Sequence, residues 1–128
     1  MSMPTEGTWC HIEIPAADPA AAKKFYGEVF GWSFQDIPEM DYTLYTTREG
    51  GIGGGIMKKS DKVPQQMVSY IWVDDIGGTC QRIENNGGKI VQPEMAVGEV
   101  GWTAWVTDPD GNLFALWKGS TAAQPPAE

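Results

Sequence analysis

Basic residues are scarce in this chain and never cluster. Nine Lys and Arg stand against seventeen Asp and Glu, for a formal net charge of −8. The basic side chains are scattered, with two adjacent pairs, Lys23–Lys24 and Lys58–Lys59, whereas a phosphate backbone needs several cations on one face. Nucleic acid is therefore not expected as a partner, and the acidity is read first as an aid to solubility. Long apolar runs are missing too. No stretch approaches the roughly 20 residues of a membrane-spanning helix, so no membrane partner is expected. The opening "MSMPTEGT" lacks the basic and apolar regions of an export signal. Only two cysteines occur, Cys10 and Cys80, with no CxxC spacing, and two free thiols point to a reducing, cytoplasmic setting. Scarcest of all is histidine, present once, as His11.

What is present is a folded-domain composition, 41% apolar in 128 residues, enough for one core or two small packed modules. It also holds an internal repeat. "HIEIPAAD" at 11–18 lies over "VSYIWVDD" at 68–75, 57 residues later. Each reads as a strand that ends in an aspartate and runs into a helix. Asp18 is a good N-cap with Pro19 at the first helical position, and Asp75 takes the same place in the second copy. At the same spacing Gly31 matches Gly88, each placed to end its helix in a left-handed conformation. The later halves match 60 residues apart: "YTLYTT" at 42–47 over "WTAWVT" at 102–107, and "IGGGIMK" at 52–58 over "NLFALWK" at 112–118. Strands are predicted near 8–15, 32–37, 42–48 and 52–58, and again near 67–74, 89–94, 99–107 and 112–118.

A doubled strand–helix–strand–strand–strand chain carrying "FYGEVFGW" after an H-x-E-x-P-A-x-D strand, and "DPDGNLFALW" near its end, resembles the vicinal oxygen chelate superfamily. That superfamily includes glyoxalase I, bleomycin-resistance proteins and extradiol dioxygenases. The resemblance covers about residues 8 to 118. It implies an α+β fold of two βαβββ modules whose curved mixed sheets form a cup with helices outside. Module one is set at 8–58, the linker at 59–66 and module two at 67–118. Together they make a single domain between a disordered lead at 1–7 and a flexible tail at 119–128.

In metal-dependent relatives the ligands come from four equivalent strand positions. Carried onto this chain, the repeat makes these His11, Gly55, Val68 and Ala115. Shifting register by one residue brings in no carboxylate and no second imidazole. One histidine cannot hold a divalent ion tightly, and Glu13 beside it on the same strand face does not surround one. No metal and no cofactor is expected.

Alternation puts Trp9, His11 and Glu13 on one face of the first strand, with Gly55 and Met57 on the last strand of module one. The same face of module two carries Tyr70, Trp72 and Trp117. The opposite faces read as aliphatic core, packed on helix residues Ala22, Phe25, Val29 and Ile83. Two readings fit the aromatic face: a pocket for a flat or amphipathic small molecule, or rings that simply fill the interior. Two also fit His11: a hydrogen-bonded inner-face histidine, or an acid–base pair with Glu13. The favoured function is a metal-free protein binding a small aromatic or amphipathic molecule through Trp9, His11, Glu13, Gly55, Met57, Tyr70, Trp72 and Trp117. The alternative is an enzyme (lyase, isomerase or dioxygenase-like) using His11 and Glu13, or a divalent metal. Loss of the His11 side chain is expected to be mild for folding, and loss of Phe25 severe. A homodimer is expected, since curved sheets with free edges must be paired or covered.

Overall fold

The computed structural model describes residues 4–61 and 65–120. Pro64 of the expected linker, residues 1–3 of the lead and residues 121–128 of the tail lie outside the described residues. The chain divides into two compact units. The first, from Cys10 to Val68, holds strand β1 (Trp9–Ala16, less its first residue), helix α1 (Pro19–Phe30), β2 (Ser33–Ile37), a 3-10 turn (Pro38–Met40), β3 (Tyr42–Thr46) and β4 (Gly54–Lys58). The second, from Ser69 onward, holds the rest of β5 (Val68–Trp72), α2 (Ile76–Asn85), β6 (Lys89–Val97), β7 (Gly101–Thr107) and β8 (Leu113–Gly119). No helix is long and apolar enough to cross a membrane among the described residues.

Each unit is one βαβββ module with the same strand plan. In the first, β1 lies parallel to β4, and β4, β3 and β2 follow as antiparallel neighbours. In the second, β5 lies parallel to β8, followed by β7 and β6. Residues 4–9 belong with the second unit. There Gly7 N–H donates to the Trp72 carbonyl (2.8 Å) and Trp72 N–H to the Thr8 carbonyl (3.0 Å). At the other end Ser120 N–H donates to the Val100 carbonyl.

The helix signals act as the sequence predicts at α1. Asp18 Oδ1 accepts from the N–H groups of Ala20 (3.1 Å) and Ala21 (3.3 Å), satisfying donors that have no partner within the helix. Gly31 closes the helix at φ 76°, donating to the Gly27 carbonyl. Asp75 caps α2 through Gly78 N–H. At its end, however, the left-handed residue is Gly87 (φ 94°) and not Gly88. Gly88 is small for another reason: a Cβ there would collide with Ile83 and the Thr107 carbonyl.

Each module buries an aliphatic face under its helix. In the second, Val73, Ile76, Ala104, Val106 and Leu116 form the core, with Cys80 and Ile83 of α2 packed on it. In the first the core is Ile14, Ala16, Tyr45 and Ile56, covered by Ala22, Tyr26, Trp32 and Phe34. Here the expected helix face is corrected. Phe25 and Val29 are each 56% exposed, because α1 is rotated to present Ala22 and Tyr26. An aromatic stack holds that rotation: Tyr26 lies on Trp32 (centroids 4.7 Å) and Trp32 on Tyr45 (4.5 Å), both near-parallel at 7°. Three stacked rings outweigh the Phe25 and Val29 contacts that the sequence pattern offers.

The strand register tests the repeat. Glu13 pairs with Gly55 and Tyr70 with Ala115, which reproduces both spacings and makes His11 and Val68 equivalent. The third strands do not match as their aromatic letters suggest. Leu44 faces Gly55, while Trp105 faces Ala115. Strand β7 is thus shifted by one residue, and Tyr42 corresponds to Thr103 and not to Trp102. A one-residue slip exchanges the faces of a strand. Tyr45 therefore lies under the helix, whereas Trp105 lies on the opposite face.

Candidate functional site

The opposite face of the first module carries His11, Glu13, Gly55 and Met57, as alternation requires, and the structure adds Tyr42. His11 is 2% exposed. Its Nε2 lies 2.7 Å from the Tyr42 hydroxyl, which donates to Glu13 Oε2 at 2.9 Å. A tyrosine hydroxyl has one proton, here given to Glu13, so the imidazole is the donor through Nε2–H and its Nδ1 keeps an acceptor lone pair. Burial pushes the His11 pKa down from 6.5 to about 4, because the interior penalises the imidazolium. The imidazole is neutral at pH 7. It can accept or relay a proton weakly, and it is not a charged acid.

Tyr42 reaches this position because residue 55 is glycine. A Cβ at Gly55 would overlap the Tyr42 hydroxyl and ring. The phenol occupies the place where a side chain on β4 would project, opposite Met57 in the strand register. That bears on a metal. The four equivalent positions hold one imidazole, a glycine, a valine and an alanine, and Tyr42 already engages the imidazole and fills the glycine's space. Among the described residues no three His, Cys, Asp or Glu side chains gather to hold an ion. This donor set does not fit a divalent metal.

The corresponding face of the second module is aromatic. Tyr70 (6% exposed), Trp72 and Trp117 are buried there, with Tyr70 edge-on to Trp117 at 6.5 Å. Trp105 joins them through the shifted register. Gly101 and Gly119, paired across β7 and β8, seat the indoles: a Cβ on Gly101 would strike the Trp117 ring, and one on Gly119 the Trp72 ring. Trp9 departs from its expected place. It is half-exposed and packs edge-on against Phe114 at 6.1 Å, and Phe114 lies on the helix side of β8. Its position in the chain before Cys10 places it in the second unit.

Two site residues, Tyr42 and Trp105, escaped the sequence reading. Both stand in the aromatic segments that the repeat aligns, "YTLYTT" and "WTAWVT". Their faces follow only from hairpin register, which the loops between β3 and β4 and between β7 and β8 set differently.

The profile of the Glyoxalase/Bleomycin resistance protein/Dioxygenase superfamily matches residues 10–116. A glyoxylase-like domain-containing protein of Didymella fabae is 34% identical over 114 residues, covering 82% of this chain and 88% of its own. A "Putative glyoxylase CFP32" of Mycobacterium tuberculosis is 29% identical over 123 residues, covering 90% of this chain and 47% of its own. The "Anthracycline biosynthesis protein DnrV" of Streptomyces peucetius is 26% identical over 124 residues, covering 84% and 45%. The chain thus spans about half the length of several curated relatives it matches. Among solved structures, the methylmalonyl-CoA epimerase of Mycobacterium tuberculosis superposes with a TM-score of 0.70 at 14% identity, over 94% of this chain and 95% of that one. At that identity the likeness concerns the fold. With the family profile spanning both modules and the doubled βαβββ plan present in the strand register, this chain belongs to the glyoxalase/bleomycin resistance protein/dioxygenase superfamily.

Proposed function

We propose that this chain is a metal-free, small-molecule-binding member of the superfamily that takes a flat aromatic or amphipathic ligand. The observation that carries the reading is the aromatic face of the second module. Tyr70, Trp72, Trp105 and Trp117 stand there over Ala115 and two glycines, whereas the fully buried core on the helix side of the same sheet is aliphatic, with Trp102 and Phe114 only partly buried against it. Aromatic surface with few polar groups suits a planar guest. The chemistry of the first module favours binding over turnover, since a neutral, buried His11 tied to Tyr42 is a weak acid–base catalyst near pH 7. Two free thiols, with burial pushing that of Cys10 up to about 12, agree with a cytoplasmic setting. Titration with a library of planar aromatic compounds should quench tryptophan fluorescence, and Trp72→Phe and Trp117→Phe should each reduce the quenching. A library in which no compound quenches would refute the reading. Elemental analysis after dialysis should find Zn, Ni, Mn and Fe far below one per chain.

The second reading is acid–base catalysis, favoured by the continuous line from His11 through Tyr42 to Glu13. It predicts deuterium uptake beside a carbonyl in a turned-over substrate, abolished in Glu13→Gln. A relative named as a putative glyoxylase and a structural neighbour named as an epimerase keep such a substrate worth testing.

A further inference from the structure

Two indole N–H groups on the aromatic face of the second module are buried and have no hydrogen-bond partner among the described residues: Nε1 of Trp105 and Nε1 of Trp117. Trp117 is 6% exposed. The register places both on one face of adjacent strands. Trp105 is opposite Ala115 and Trp117 opposite Thr103, so the two tryptophans are diagonal neighbours within reach of large side chains. An unpaired buried donor is costly, and native interiors keep few of them. The Trp117 ring is also held in a fixed seat, since Gly101 leaves the room its benzo edge occupies.

An indole nitrogen donates and does not accept, so its partner must bring an acceptor. The donor is uncharged, which suits a neutral oxygen and does not demand a carboxylate. Tyr70 and Trp72, buried on the same face, make the surroundings of these donors aromatic. Resting on the aromatic-ligand reading above, we propose that this face recognises an uncharged, planar aromatic molecule bearing a carbonyl group. The carbonyl oxygen accepts from the indole N–H groups of Trp105 and Trp117, while the ring lies against the neighbouring aromatics.

The test compares 1-indanone with indane, the same bicycle with a C=O in place of one CH2. The full-length protein, 15N-labelled at tryptophan, is titrated with each compound, with indole resonances assigned from single Trp→Phe variants. Indanone should bind about tenfold tighter than indane, the worth of one net hydrogen bond, although indane is the more apolar. It should also move the Trp105 and Trp117 N–H resonances downfield. In the Trp105→Phe/Trp117→Phe variant the two compounds should bind within about threefold of each other, the residue of a lost hydrogen bond. Equal affinities in the native protein, or a ketone preference that survives in the double variant, would overturn carbonyl recognition while leaving aromatic binding in place. Failure of both compounds to bind at millimolar concentration would overturn both. Should the double variant not fold, the native-protein resonances and Trp117→Phe alone decide the matter.

Discussion

At the scale of the residue, burial reverses the expected ranking of His11 and Phe25. His11 is enclosed and hydrogen-bonded, whereas Phe25 is more than half exposed and meets the Tyr26 and Phe30 rings edge-on, at 5.1 and 6.4 Å. His11→Ala removes a packed ring and the Tyr42 contact, and should cost about 2–4 kcal/mol. Phe25→Ala should cost less than about 1 kcal/mol. Urea denaturation of both variants checks the order, and a milder His11→Ala would show that its pocket collapses freely. The same burial makes stability depend on pH. The folded pKa of about 4 lies below the unfolded 6.5, so the unfolded chain binds the extra proton between these values. Stability is full above pH 6.5 and is lost as pH falls toward 4. Between pH 7 and 5 this amounts to about 2 kcal/mol. His11→Gln should remove that part of the slope, and an unchanged slope would mean that carboxylates alone carry it.

At the scale of the element, the first module depends on Tyr42 crossing from β3 over Gly55 of β4. Gly55→Ala should destabilise by about 2 kcal/mol or more, since the new methyl meets the phenol ring as well as its hydroxyl. Combining it with Tyr42→Ala should cost clearly less than the sum of the two changes, with a coupling of about 1–3 kcal/mol. Tyr42→Phe, which keeps the ring, should give no such relief. Additive free energies in chemical denaturation would place the Tyr42 ring elsewhere. The contrast between β3 and β7 has the same origin. One residue fewer in the β7–β8 hairpin path than in β3–β4 turns Trp105 out from under α2, where Tyr45 of the first module remains beneath α1.

At the scale of the molecule, helix α1 leaves Phe25, Val29 and Phe30 more than half exposed on its outer side. Such an apolar stretch favours association over solvation, and free sheet edges add to it. We expect a homodimer with two-fold symmetry. Light scattering should return twice the 14.0 kDa chain mass, and Phe25→Glu/Phe30→Glu should shift the equilibrium toward monomer. A single-chain mass that persists at about 100 μM, well above the range of specific dimers, would show that these residues stay solvated.

Much of this architecture was legible in the chain itself. Period-two alternation, Asp18 with Pro19, Asp75, and the 57- and 60-residue spacings specify two βαβββ modules, because these signals are local and recur twice. They also assign His11 and Glu13 to one face and Tyr70, Trp72 and Trp117 to its counterpart, since alternation along a single strand needs no partner. Rotation of α1 onto Tyr26, the slip of β7 against β3, and the reach of Tyr42 to His11 and Glu13 were decided only in the tertiary structure. Each depends on contacts between segments distant in sequence. A ring stack can rotate a helix, and hairpin length can exchange the faces of a strand, without altering the pattern that either segment shows alone.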